Sequence, residues 1–200
     1  MINPQNIHCL AINYPGVGIS NVPPLYFVKA KSSLCYNFSK IKYPADIKKL
    51  WTEVELGIVV NENIYNISEV EADSYIEGFT VCADLTCSNI AGRDHHLAFS
   101  KSRKGFCPVN ENITKTGLNS LKSAKLITEI NGKITQVGCL DDMIFGPYKS
   151  LSYISSITEL QKGDLLLTGT PAGVENNIIY KGDKIRHVID NITELEYEIE

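Results

Sequence analysis

At 200 residues and 22.2 kDa the chain has room for one compact domain with a sizeable core and too little for a multidomain assembly. Its 44% hydrophobic and 21% charged residues exclude an intrinsically disordered chain, and a net charge of −4 lacks the basic excess that binding a phosphate backbone requires. No apolar run approaches the roughly 20 residues of a membrane span, and Met1-Ile2-Asn3-Pro4 does not open a secretory leader, so a cytoplasmic protein with neither nucleic acid nor membrane as partner is expected.

In chain order, residues 7–13 (IHCLAIN) and 25–30 (LYFVKA) read as short strands separated by a Gly- and Pro-rich loop, 15–24. Residues 54–60 (VELGIVV) form a β-branched strand, and Asn61-Glu62-Asn63 invites a hairpin into Ile64-Tyr65-Asn66. Ser68 and Glu71 make a capping-box pair, and Val70, Ala72, Tyr75 and Ile76 share one helical face, which predicts a helix ending at Gly78. Residues 79–86 (FTVCADLT) alternate as a strand, and 88–107 is polar and irregular or partly helical. Asn131-Gly132 joins two alternating runs within 124–138 and is the strongest short-range hairpin signal, because both central residues must take positive φ. A short helix around 151–157, a buried strand LLLTG, a Gly-rich turn at 168–174 (TGTPAGV) and two strands, 184–189 and 192–198, follow. The fold class is α+β, β-rich, with few short helices and one domain over 1–200.

Six cysteines, Cys9, Cys35, Cys82, Cys87, Cys107 and Cys139, lack C-x-x-C spacing and mostly sit among apolar neighbours. They read as reduced thiols in or near the core, and the alternative, a zinc cluster, has no paired spacing to support it.

Glu53 and Glu55 stand two apart on an otherwise apolar strand, so both carboxylates leave the same face. An isolated E-x-E pair is usually the solvated face of an edge strand, but Asp84 interrupts the next long strand, where an unpaired buried carboxylate carries a large desolvation penalty. Three carboxylates on two neighbouring strands make a hard-oxygen site suited to Mg²⁺ or Mn²⁺, with Ca²⁺ less suited. The alternative is a salt bridge from one of them to Lys101. In TGTPAGV the glycines, Gly169 among them, let backbone amides approach an anionic ligand, and Thr168 and Thr170 add hydroxyl donors.

Taken together, the order and spacing of these segments resemble the fumarylacetoacetate hydrolase family, in particular its small acylpyruvase and oxaloacetate decarboxylase branch. The segments that carry the resemblance are Pro24-Leu25-Tyr26-Phe27-Val28-Lys29, TEVELGIVV with Glu53 and Glu55, YIEGFTVCADLT with Asp84, Lys101 ahead of Cys107-Pro108, then NGKITQ, DDMIF and LQKGDLLLTGTPAGV. The resemblance implies a mixed β-sandwich roll, usually a homodimer. It implies a divalent metal on Glu53, Glu55 and Asp84 and no organic cofactor. It also implies Lys101 as the catalytic lysine, with Gly169 and Thr170 binding a small keto-acid substrate.

Two departures bear on the reaction. Where the family's hydrolases carry a lid histidine and glutamate that activate water, this chain reads Asn13-Tyr14-Pro15-Gly16-Val17-Gly18-Ile19-Ser20 in a shortened loop. Where the family commonly supplies arginine and glutamine after the third acidic ligand, it reads Ser88-Asn89-Ile90-Ala91, with Arg93, His95 and His96 as candidate substitutes. Hydrolysis needs a base for its water, whereas decarboxylation or tautomerisation of an oxaloacetate-type acid needs chiefly a stabilised enolate. The expectation is therefore a lyase or tautomerase, with acylpyruvate hydrolysis as the alternative and a catalytically weakened ligand-binding homologue as a second.

Overall fold

The computed structural model describes residues 2–17, 22–89, 92 and 95–200. Its strands are β1 (Ile7–Ala11), β2 (Leu25–Lys29), β3 (Leu34–Tyr36), β4 (Ser39–Ile41), β5 (Leu50–Val60), β6 (Ile76–Cys87), β7 (Cys107–Val109), β8 (Lys125–Ile130), β9 (Lys133–Cys139), β10 (Leu165–Leu167), β11 (Ile178–Ile179), β12 (Lys184–Ile189) and β13 (Glu194–Ile199). Among the described residues two α-helices accompany them, α1 (Ala98–Lys101) and α2 (Pro147–Ile157). One sheet runs β2-β1-β10-β5-β6-β7-β3, with β11 also on β5, and the other runs β4-β13-β12-β8-β9. Both are mixed: β1 is parallel to β10, β3 to β7 and β4 to β13, and the remaining pairs are antiparallel. No helix of the described residues is long and apolar enough to cross a membrane.

The long β5–β6 hairpin organises the molecule. Val54, Leu56 and Ile58 of β5 and Val81, Ala83 and Leu85 of β6 pack against Leu126, Ile185, Leu195 and Tyr197 of the second sheet. On the other face of β5 and β6, Val59 and Cys82 meet Ile7, Cys9, Phe27, Leu165 and Leu167 in a smaller cluster, and that face also carries Glu53, Glu55 and Asp84. Each buried aliphatic side chain contributes about 1.5 to 3 kcal/mol by leaving water. A one-residue slip of β5 would bury its carboxylates between the sheets, so the apolar set fixes the register.

Asn131 (φ 53) and Gly132 (φ 78) turn the β8–β9 hairpin as expected. The helix expected around 151–157 begins earlier, at Pro147, where a missing N–H costs nothing. β1 stops at Ala11, two residues short of the expected end, because Ile12 takes a left-handed conformation (φ 63). Two expectations are corrected. The segment from Ser68 to Gly78 is not an α-helix: the capping pair exists, with Ser68 N–H donating to Glu71 Oε2 at 2.9 Å, but it leads only into a 3-10 turn, Ala72–Tyr75. Val70 on the supposed apolar face is 93% exposed, so nothing rewards propagation, and Ile76 instead joins β6 opposite Val60. Likewise Ile64 does not return along β5. It bridges Leu160, with reciprocal backbone bonds of 2.9 Å.

Candidate active site

Antiparallel register puts Glu53 directly opposite Asp84, and the two-residue period places Glu55 on the same face. Oxygens of the three carboxylates lie within 4.8 Å of one another. Like charges this close, with Glu55 and Asp84 buried, would destabilise the hairpin unless cations faced them. Two lysines do so. Lys29, buried at the end of β2, contacts Asp84 Oδ1 through Nζ. Lys101 of α1 donates to Asp84 Oδ2 at 2.6 Å, Thr86 Oγ1 at 2.7 Å and Glu53 Oε2 at 3.2 Å. The second oxygen of Glu53 accepts from Trp51 Nε1 at 2.7 Å and Thr86 Oγ1 at 3.0 Å.

The three acids titrate differently for identifiable reasons. Burial opposes ionisation of Asp84, but Lys101 and then Lys29 outweigh it and lower its pKa. Burial also opposes the Lys101 ammonium, and Asp84 and Glu53 more than compensate, raising its pKa. Glu55 has less help: burial, then the charges of Asp84 and Glu53, hold its pKa well above the ordinary carboxylate value against Lys101 and a 2.5 Å bond from the Gly169 N–H. With Glu55 ionised, three carboxylates against two ammonium groups leave one negative charge unbalanced. The salt bridge to Lys101 weighed as the alternative therefore coexists with the acidic cluster without satisfying it. An all-oxygen donor set with one under-compensated buried member fits a hard divalent cation.

The turn after β10 reaches this cluster through a break in the ladder beside β5. β10 pairs with Gly57 to Val59 and β11 with Leu50 and Trp51. Between them the loop of residues 168–177 takes over: Thr168 N–H and Oγ1 both donate to Leu56 O, at 3.1 and 3.0 Å, while Thr52 N–H donates to Asn177 O and Asn177 Nδ2 to Thr52 O. Gly169 has φ +89, and a Cβ there would lie 3.1 Å from both Asn13 Cβ and Leu10 O, so glycine is required to aim its N–H at Glu55. Asn13 secures the turn by donating to Thr168 O at 2.8 Å and Phe145 O at 2.9 Å.

A cleft of about 350 Å³ opens over the cluster. Glu53, Glu55, Thr86, Lys101, Gly169 and Thr170, with Asn89 and Ser100, supply its polar lining, and Ile12, Val17, Leu25, Trp51, Leu97 and Val174 an apolar wall. The structure thus brings together Glu53, Glu55, Asp84, Lys101, Gly169 and Thr170. Two donors differ from expectation: the Gly169 N–H is engaged by Glu55, and Thr168 is buried with its hydroxyl on Leu56 O. His95 and His96 are exposed, and neither is among the described residues lining the cleft. Arg93, Ile90 and Ala91, and residues 18–20 of the shortened lid segment, lie outside the described residues. Sequence reasoning missed Lys29, Trp51 and Thr86 as members of the site. For Lys29 a signal existed, since it falls two residues after Phe27 on the buried face of β2.

A family model described as fumarylacetoacetate (FAA) hydrolase C-terminal matches residues 11–200. The mitochondrial oxaloacetate decarboxylase of Dictyostelium discoideum is 35% identical over 156 residues, 76% of this chain and 72% of that protein. The mitochondrial oxaloacetate tautomerase FAHD1 of Rattus norvegicus is 29% identical over 181 residues, 88% of this chain and 81% of the relative. Among solved structures, the 2-hydroxyhepta-2,4-diene-1,7-dioate isomerase of Mycobacterium marinum shares the fold with a TM-score of 0.91 at 28% identity, over 99% of this chain and 75% of that one.

Proposed function

The chain belongs to the fumarylacetoacetate hydrolase family, and from that membership and the geometry of the cleft we propose that it is a divalent-metal-dependent enzyme of enolate chemistry on a small keto acid, decarboxylating or tautomerising an oxaloacetate-type substrate. The observation that carries this is the convergence of Glu53, Glu55 and Asp84, the first two of which line a cleft that also holds a charged lysine. Glu53, Glu55 and Asp84 would hold the ion. Mg²⁺ or Mn²⁺ bound there supplies Lewis-acid stabilisation of enolate charge. Lys101, kept protonated by Asp84 and Glu53, places a second positive charge beside the developing oxyanion. Thr170 offers a hydroxyl to the substrate carboxylate, and Gly169 acts through Glu55 by fixing one of its oxygens. The names of the decarboxylase and tautomerase relatives support the same reaction class.

One observation favours a second reading, hydrolysis of an acylpyruvate-type acid: the apolar wall of Ile12, Val17, Leu25, Trp51, Leu97 and Val174 suits an apolar acyl tail better than a second carboxylate. Against it stands the sequence of the lid segment, which has no histidine or glutamate from Asn13 to Ser20 to activate water. The test offers oxaloacetate and acetylpyruvate side by side to chelator-stripped protein reloaded with Mg²⁺ or Mn²⁺. Oxaloacetate loss or tautomer exchange above the free-metal rate supports the proposal. Cleavage of acetylpyruvate alone replaces it with the hydrolase, and turnover of neither leaves a ligand-binding homologue. Lys101→Met should lower the rate by about 10²- to 10³-fold, the scale of losing one charge-stabilising group.

A further inference from the structure

Behind β5, on the face opposite the carboxylates, lies a set of buried polar side chains that the chemistry above does not use. Thr52, Thr128, Asn177 and His187 are fully buried, and Gln136 and Tyr197 are 3% exposed. Their donor and acceptor roles can be assigned link by link. Gln136 Nε2 faces the backbone carbonyls of Pro171 at 2.7 Å and Ala172 at 3.3 Å, and a carbonyl only accepts, so this end of the amide is the NH₂. Its Oε1 then accepts from Asn177 Nδ2 at 2.8 Å and Thr128 Oγ1 at 3.1 Å. Thr128 has one hydroxyl proton and gives it to Gln136. Toward His187 Nδ1, 3.1 Å away, Thr128 can only accept, so Nδ1 must carry hydrogen.

Burial lowers the His187 pKa to about 3, so the ring is neutral and its Nε2 accepts. That nitrogen faces Thr52 Oγ1 at 2.8 Å and Tyr197 OH at 3.0 Å, and the two hydroxyls are 2.5 Å apart. The chain therefore enters His187 Nε2 from the Tyr197–Thr52 hydroxyl pair, one hydroxyl donating to the other and the second to the ring, and runs on from His187 to Thr128 to Gln136. At its far end, the remaining Gln136 Nε2 hydrogen is shared between Ala172 O and Thr170 Oγ1, each at 3.3 Å. A hydroxyl that accepts from behind has its own proton to give in front.

We propose that Gln136 is a positioning residue for the ligand's carboxylate: the unidirectional hydrogen-bond chain ending at Gln136 makes the Thr170 hydroxyl an acceptor toward the interior and therefore a donor into the cleft. It rests on the reading of Thr170 as the contact for the substrate carboxylate. It extends that reading from the cleft to the second sheet, because Gln136 and Thr128 belong to β9 and β8.

The experiment measures pyruvate binding to the Mn²⁺-loaded protein by water-proton relaxation, with Mn²⁺ affinity recorded on the same samples. Gln136→Met and Thr170→Val should each weaken pyruvate about tenfold, the scale of one hydrogen bond to a charged group, with Mn²⁺ affinity unchanged. The double variant should be no weaker than Thr170→Val alone, because the two residues act through one bond. Multiplicative losses, or wild-type pyruvate affinity in Gln136→Met while Thr170→Val is weakened, overturn the positioning role and leave the site reading intact. No effect of Thr170→Val overturns both. A second measurement needs no variant and stands even where Gln136→Met does not fold: ¹⁵N NMR of the wild-type protein should find His187 protonated at Nδ1 and bare at Nε2. The opposite tautomer would turn the Thr128 hydroxyl toward His187, break the chain before Gln136 and refute the claim that the chain sets the Thr170 hydroxyl.

Discussion

Glu55→Gln should stabilise the metal-free protein while removing its response to metal. Like-charge pairs at 4.8 Å cost about 3.5 kcal/mol each at an effective dielectric of about 20. Burial, the largest cause of the Glu55 shift, acts on charge and is removed with it; beyond that Glu55 faces two such repulsions, from Asp84 and Glu53, offset by the attraction of Lys101, which leaves about one unbalanced. The glutamine oxygen can still accept the Gly169 N–H, so the loop keeps its anchor. At a pH above the folded value of Glu55 the chelated variant should gain about 3 kcal/mol, or roughly 6 to 12 °C in melting temperature for a chain of this size. The sign with pH follows from the raised folded-state pKa of Glu55. Wild type carries no penalty below the unfolded value of about 4.3 and acquires it as pH rises through the folded value, so the variant's advantage grows with pH and disappears in acid. With Mg²⁺ at a hundredfold excess over Kd, wild type should gain about 2.7 kcal/mol and the variant little. Thermal and urea unfolding with and without chelator measure all of this. A chelated variant that melts at or below wild type at every pH, or an equal Mg²⁺ shift in both proteins, would refute the electrostatic account of the site.

Lys29→Met should have the opposite sign. It leaves the buried Asp84 carboxylate with Lys101 alone, and breaking a buried ion pair costs about 3 to 5 kcal/mol; Mg²⁺ should restore more stability to this variant than it adds to wild type, and an equal increment in urea unfolding would contradict that. His187 should make the protein acid-labile: its folded pKa of about 3 lies below the unfolded value of about 6.5, so stability is complete above 6.5 and falls as pH drops toward 3. The loss amounts to about 5 kcal/mol over that window, and a His187→Gln variant with the same pH profile as wild type would remove His187 as its source.

The carboxylate cluster was legible because strand periodicity is local: two glutamates two apart must share a face, and an aspartate inside an apolar strand must have a partner. The same logic gave the Asn131-Gly132 hairpin. The segment 68–78 misled because its capping pair is real while its apolar face finds nothing to pack on, and only tertiary structure reveals that Val70 is solvated. Lys29 and Asp84 are 55 residues apart on strands separated by β1, β10 and β5, so their meeting depends on that strand order and on the sheet curling to bring β2 back toward β6. No window of sequence contains that order. His187 was passed over although it alternates inward between Ile185 and Ile189, a polar residue at a core position that must find partners.

The break in the ladder beside β5 has a consequence for how this scaffold diversifies. In an unbroken sheet, adding or deleting a residue in the neighbouring strand shifts every partner after it. Here the segment is moored to the β5 backbone through Thr168 on Leu56 and Asn177 on Thr52. Gly169 must stay because its N–H holds Glu55, but exchanges farther along, from Val174 to Asn176, leave β5 and its acids where they are. A lineage carrying this arrangement can reshape the cleft wall at Val174 while inheriting an unchanged carboxylate cluster.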